Sequence, residues 1–265
     1  MNCRADAVDA ELFAAMRDAG LYLVYMGLES GNEEGLRTLH KQITVEQNLR
    51  AVSVLKEVGL LFEYGFMLFN PSSTFESVRA NLAFLRAIIG DGSTAATFCR
   101  MLPYDGTPIK EDLERAGRLR GDVCNPDYDF LDPRLTEFYA ALTEYVDIRG
   151  WIHGFQALSV QLSWAWNEVA VMERLFPPIA EMADYRQTLR GITAASNDFL
   201  LGVVEDLSSV FTDGRASPGS AAEVEARRVR FLDDLLAARN AFVGRHQEHL
   251  VAALPETVRE RAATA

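Results

Sequence analysis

A chain of 265 residues is long enough for one large domain or two modest ones. Half of its residues are apolar and a quarter are charged, as in a folded globular protein, and its formal net charge of −12 argues against a nucleic-acid-binding surface. No apolar run reaches bilayer length, so no membrane association is expected, and the N-terminal MNCRADAVDAEL lacks the basic and apolar segments of a secretory signal. A cytoplasmic location is the expectation. Cys3, Cys99 and Cys124 are odd in number and far apart, which suggests three reduced thiols rather than a disulfide framework or a zinc site.

Residues 2–6 (NCRAD) read as the tail of a strand. A helical pattern follows, with Leu12, Phe13 and Met16 on one face and Gly20 as its stop. LYLVYMGL at 21–28 is a near-continuous apolar run of β-formers, the signature of a strand buried on both faces of a parallel sheet. After the loop GLESGNEEG, Thr44 to Gln47 has capping-box form. It opens a helix that turns Leu49, Val52 and Leu55 inward and ends at Gly59. LLFEYGFMLF at 60–69 is the next strand, broken by Asn70–Pro71. Ser73 to Glu76 has the form of a second capping box, ahead of a stripe of Val78, Leu82, Leu85 and Ile89 and a stop at Gly90. TAATFCRML at 94–102 is a further strand candidate.

Strands alternating with helices of this length imply right-handed βαβ units and a parallel sheet. About four strands make half of a TIM-like β/α barrel, for which a full barrel needs about 250 residues. From about residue 134 the texture becomes helical and amphipathic. The predicted helices are about 134–149, 155–175, 178–210 and 221–251, with a loop at 213–220 and a frayed end from about 254. The expected organisation is a partial parallel β/α barrel over 1–133 and an all-helical region over 134–265. Trp151, Trp164 and Trp166 lie in one segment and suit either helix–helix core or a pocket lining. His246 and His249 are three apart on a helix, a metal-compatible spacing with no fixed third ligand, and read as solvated side chains; His40 and His153 are isolated. No P-loop or nucleophile-elbow motif is present.

Several segments, in order, carry a resemblance: RAD at 4–6, AGLYLVYMGLESG at 19–31, LHKQIT at 39–44, KEVGLLFEYGFMLFNPSST at 56–74 and LPYDGTPIKEDLERAGRL at 102–119. Together they resemble the second half of the barrel of radical S-adenosylmethionine enzymes, in the group with methylthiotransferases and cobalamin-dependent members. The resemblance implies that Glu29, at a strand end with Ser30, accepts hydrogen bonds from the ribose of S-adenosylmethionine. Capping the following turn is its alternative role. Gly27 and Gly31 would let backbone and ligand approach. Lys41, and by the same reasoning Arg4, would pair with the ligand carboxylate, and the strand end at Asn70 would lie near the adenine. The family's Gly-x-Pro-Gly-Glu-Thr run reads FNPSST here, keeping Pro71 and Thr74.

The family's Cys-x3-Cys-x2-Cys loop is absent, and scattered thiols do not build its cluster. A [4Fe-4S] cluster is therefore expected only where an upstream cysteine motif supplies the ligands, and cobalamin only in a full protein with an upstream cobalamin-binding part. The chain alone is expected to be inactive. In a complete enzyme it would take part in 5′-deoxyadenosyl-radical chemistry, including methyl transfer, on a small-molecule or peptide substrate. Two accounts of the half barrel stand side by side: a late start within a longer enzyme whose N-terminal half completes the barrel, or a short, non-catalytic partner or regulatory protein that docks through its open edge.

Overall fold

The computed structural model describes residues 1–147, 153–176, 178–214 and 218–253. Four parallel strands, β1 (Asn2–Cys3), β2 (Leu23–Glu29), β3 (Leu61–Phe69) and β4 (Cys99–Arg100), lie side by side in chain order. Helices α1 (Ala10–Asp18), α2 (Glu33–Thr38), α3 (Val45–Val58) and α4 (Phe75–Ile89) fill the crossovers. Beyond β4 come α5 (Pro108–Arg115), an antiparallel hairpin of β5 (Leu119–Gly121) and β6 (Pro126–Tyr128), and then four helices: α6 (Pro133–Val146), α7 (Gly154–Leu175), α8 (Met182–Thr212) and α9 (Ala221–Ala253). This is the partial parallel barrel with a helical C-terminal region. Among the described residues no helix is long and apolar enough to cross a membrane.

Local chemistry sets the helix ends. Thr44 and Gln47 form the reciprocal capping box that their spacing predicts. Gly59 then ends α3 in the left-handed region at φ 80°, where only glycine is unstrained. The second capping box lies one residue later than predicted. Thr74 and Ser77 make it, because the Ser73 hydroxyl is already accepting from the Asn70 amide. The predicted stripe of α4 is buried as read, with Asn81 among it. On α1 only Phe13 is buried and Leu12 is exposed; on α3 Asn48 takes the inward position and Leu49 faces out.

Three strand expectations need correction. β2 is buried on one face only: Val24, Met26 and Leu28 face the helices, while Tyr25 is 42% exposed on the other side. That other side is the concave face that a complete barrel would enclose. The predicted strand at 2–6 contracts to Asn2–Cys3, followed by a 3-10 turn at Ala5–Ala7. The strand at 94–102 pairs with β3 only at Cys99–Arg100, because side chains rather than a ladder satisfy the rest of it. The loop at 29–35 holds α2, too short to show a period. The four C-terminal helices match their predicted positions within a few residues. Trp151, residues 215–217 of the expected loop and the expected frayed end at 254–265 lie outside the described residues.

The helical region is locked to the sheet by polar contacts. Asn197 on α8 is almost wholly buried; its Oδ1 accepts from Ala96 N at 2.7 Å, and its Nδ2 donates to Ile89 O at 3.0 Å and Thr94 O at 2.9 Å. Arg86 on α4 forks onto Glu205 and reaches Asp198, both on α8. Ahead of β4, Gly92 has φ 71°, and a Cβ there would lie 2.2 Å from Arg190 O, so α8 passes directly against this turn. Two buried backbone groups, Ala96 N and Thr94 O, depend on the one Asn197 amide, while Ile89 O also accepts from Gly92 N, and each orphaned group costs about 1–3 kcal/mol. Asn197→Leu is therefore expected to lower the unfolding free energy by roughly 3–5 kcal/mol in urea titrations. A loss below about 1 kcal/mol would show that water replaces the amide and that this lock is dispensable.

Candidate functional site

The concave face of the sheet is built by the inward residues of two paired strands. β2 contributes Leu23, Tyr25, Gly27 and Glu29; β3 contributes Leu61, Glu63, Gly65 and Met67. The register places Gly27 directly beside Gly65. Barrel interiors are normally filled by branched side chains. Here two adjacent glycines leave a notch, and neighbouring polar groups fold over it. A Cβ on Gly27 would lie 2.4 Å from Glu29 Oε1 and 3.1 Å from Lys41 Nζ; one on Gly65 would lie 2.8 Å from the Tyr25 hydroxyl and 3.7 Å from Glu29 Oε2. The Glu29 carboxylate therefore lies on a floor that only glycine provides.

Glu29 and Lys41 form an ion pair at 2.8 Å, both mostly shielded from solvent. The backbone is strained to make it. Glu29 has φ 63° at an irregular step in the β2–β3 register, and His40 and Gln42, on either side of Lys41, have φ 53° and 51°. Left-handed backbone costs a non-glycine residue about 1–2 kcal/mol. Three such residues around one ion pair mark a place where geometry is held against local preference. The holding contacts are present. Asn48 donates to Leu28 O, Arg4 donates to Lys41 O at 3.4 Å, and Lys41 N closes on Leu36 O.

The residues singled out in the sequence divide into two groups. Gly27, Glu29 and Lys41 meet in one place. Arg4 supports it from behind, forked onto Asp6 and braced against the Lys41 carbonyl. Ser30 is fully buried and linked to Asn81, which also binds Gly31 N and Asn32 and anchors to Leu68 O. Gly31 is tight against Phe84, where a Cβ would lie 2.3 Å away. Asn70 is also buried, and its Oδ1 accepts from the Ser72 amide and hydroxyl in an Asx turn. Ser30 and Asn70 thus shape the loops at the strand ends. Tyr25, Glu63 and Gly65 are the residues that sequence reasoning passes over. The only signal for them is the two-residue alternation of each strand, which becomes informative once the register is known.

Cys99 lies level with Met67 on the concave face, near Glu29. Burial first, and the Glu29 charge second, push its thiol up to about 11. Cys3 lies level with Met26 on the helix-covered face, so the two cysteines of the sheet point to opposite sides. Among the described residues no three His, Cys, Asp or Glu side chains gather in a metal-binding group. His246 lies against Phe242 and 3.6 Å from Glu181, and His249 is exposed. Of the tryptophans, Trp166 is core, with its Nε1 donating to Thr193, and Trp164 is 68% exposed.

The hairpin and α6 close over the C-terminal ends of β3 and β4. Phe69 packs edge-on against Phe130 and Tyr139, and Arg100 is enclosed by the rings of Tyr128, Phe130 and Tyr139 at 4.2–4.6 Å. Asp127 pairs with it at 2.8 Å. The strand ends on the β2 side are left uncovered by this cap. Because thiolate is the reactive form, alkylation mapped by mass spectrometry at pH 8 is expected to modify exposed Cys124 first. Cys99 should react about a hundredfold more slowly than a thiol ionising near 8.5. Equal rates at the two positions would mean that the concave face is open to reagent at Cys99.

No protein-family model matches the chain. An uncharacterized methyltransferase of Pyrococcus horikoshii is 32% identical over 110 residues, which are 42% of this chain and 23% of that protein. The anaerobic magnesium-protoporphyrin IX monomethyl ester cyclase of Rubrivivax gelatinosus is 34% identical over 70 residues, 26% of this chain and 13% of the cyclase. Among solved structures, the cobalamin-dependent S-adenosylmethionine radical enzyme OxsB, with aqua-cobalamin bound, superposes with a TM-score of 0.54 at 16% identity. That superposition covers 91% of this chain and 42% of OxsB, so the likeness is one of fold across both the sheet and the helices. The matched regions span less than half the length of each of these proteins. In sequence the chain is similar to part of a methyltransferase and part of the cyclase, and in fold to part of a cobalamin-dependent S-adenosylmethionine radical enzyme.

Proposed function

We propose that the Glu29–Lys41 pair on its glycine floor is the ribose- and carboxylate-binding part of an S-adenosylmethionine site. The observation that carries this reading is the notch itself. Gly27 and Gly65 remove two side chains from the concave face where an ionised carboxylate has one oxygen on Lys41 and the other directed over Gly65. Such a carboxylate accepts from two vicinal hydroxyls at once. Lys41 supplies the counter-charge for a ligand carboxylate, and Arg4 holds the Lys41 backbone in place. The location, at the carboxyl end of a parallel strand, is where open α/β sheets take their ligands.

The residues fit the nucleoside and amino-acid groups of this ligand. They do not fit a [4Fe-4S] cluster, because the two sheet cysteines face opposite sides and Cys124 lies in the exposed turn of the hairpin. Cluster ligands would come from a cysteine motif in another part of a complete enzyme, as would the part that binds cobalamin. When held there, S-adenosylmethionine supplies 5′-deoxyadenosyl-radical chemistry; the residues of this chain bind and orient it. β1 is an edge strand, and strands from the rest of such a protein or from a partner chain would pair there to complete the barrel.

The chain alone provides half of the contacts, so binding in the millimolar range is expected. Amide spectra of the labelled chain titrated with S-adenosylmethionine should shift at Gly27, Glu29, Lys41 and Gly65. Glu29→Gln should weaken the response about tenfold, the low end of the 1.5–3 kcal/mol assigned to a charge-assisted hydrogen bond. Gly27→Val should abolish it. Shifts confined to other surfaces, or an unchanged response in Glu29→Gln, would remove the assignment.

A further inference from the structure

A second cavity, of about 360 Å³, opens below the notch, where the N-terminal parts of β2 and β3 meet α7. Its walls include Tyr25, Glu63, Thr97, Val160, Trp164 and Asn167. The volume lies at the lower end of the range for small-molecule pockets, and the lining is mostly apolar. Its polar groups are unbalanced in one direction. Glu63 is a half-buried carboxylate whose hydrogen bond among the described residues comes from a neutral amide, Asn167 Nδ2, at 3.3 Å. Among the described residues no lysine or arginine lines the cavity. The same Asn167 nitrogen also donates to Ser163 O at 2.9 Å. Both neighbours are acceptors, so the amide orientation is determined: the nitrogen faces them and Oδ1 faces away. That Oδ1 is buried and has no donor. A carboxylate without a cation thus stands in an apolar cavity, beside the aromatic rings of Tyr25 and Trp164, while Asn167 Oδ1 is buried away from it.

A carboxylate in an apolar wall attracts positive charge. Aromatic faces attract the same kind of ligand. We infer that this cavity is a binding site for an organic ammonium: a compact apolar body carrying an N–H-bearing cationic group that donates to Glu63. The site is distinct from the Glu29–Lys41 notch. Glu29 already has its cation, and Tyr25, the cross-strand partner of Glu63, stands between the two carboxylates on β2.

The test uses the full chain and three probes of one shape: n-hexylammonium, n-hexanol and n-hexanoate. The readout is the indole N–H resonance of Trp164, assigned by its loss in Trp164→Phe. Hexylammonium is expected to shift it saturably and to bind about tenfold or more tightly than hexanol, with no saturable response to hexanoate. Glu63→Gln should bring hexylammonium down to the hexanol affinity while leaving the S-adenosylmethionine response at Gly27 unchanged. A capped lysine amide, run in parallel, separates a protein side chain from a free amine as the source of the cation: the tighter of the two names the occupant. Equal binding of hexylammonium and hexanol by the unaltered chain would make the cavity merely apolar and overturn the proposal. So would the absence of any saturable response to hexylammonium, and both results are independent of whether Glu63→Gln folds.

Discussion

A parallel sheet of four strands has two edges, and every backbone group on a buried edge needs a partner. This chain meets that constraint on the β4 side with side chains instead of another strand. Gln156 donates to Phe98 O at 2.6 Å, Ser159 donates to Ala96 O at 2.6 Å, and Asn197 covers Ala96 N and Thr94 O. On the other flank of this segment the Tyr64 hydroxyl receives Thr97 N. The placement of α7 and α8 follows from these bonds, since the helices must come close enough for short polar side chains to reach the edge. The helical region thereby serves as the wall of the partial barrel on that side. At the opposite edge, β1 is two residues long.

The concave face follows from the same arrangement. With the helices α3 and α4 on one side of the sheet, the alternate residues of β2 and β3 face the barrel interior. That interior has polar side chains on either side of its glycine pair, and they fold over it. The cost of the Glu29 conformation is met by contacts that fix the chain on both sides of it: Asn48 on Leu28 O before, and the Ser30–Asn81–Leu68 link after. Polar residues buried in α3 and α4 therefore act on the site without touching it. Asn81 occupies an otherwise apolar helix face for this reason.

Much of the architecture is legible in the sequence because it rests on local chemistry. Capping residues, glycine stops and the 3.6-residue stripe of α4 locate the crossovers to within a few residues. The misplaced capping box shows the limit. Ser73 and Thr74 both have a suitable partner three residues on, and only the tertiary demand of Asn70 N for the Ser73 hydroxyl decides between them. β4 is overestimated for a similar reason: its residues favour strand, but helix side chains take the bonds that a ladder would have made. The Glu29–Lys41 meeting is reachable by resemblance. The glycine floor is not, because it depends on the register that sets Gly27 beside Gly65, two positions 38 apart in sequence. The Glu63–Asn167 contact is more remote still, joining residues 104 apart through a helix whose path is set by the edge of β4.

The two carboxylates of the concave face then differ in a way that has a physical reading. Glu29 is paired with Lys41 and is already close to neutral as a unit; a ligand that brings both hydroxyls and a carboxylate exchanges one set of partners for another. Glu63 has no such compensation. In the half barrel, water reaching the concave face screens it. Walls that complete the barrel would lower the local dielectric, and the interaction of a fixed charge with its surroundings rises as the dielectric falls. Completion would therefore strengthen the demand of Glu63 for a cation while leaving the Glu29–Lys41 unit nearly balanced. An interior with one balanced and one unbalanced carboxylate, separated by a tyrosine, would place the stronger demand for a cation at the unbalanced end.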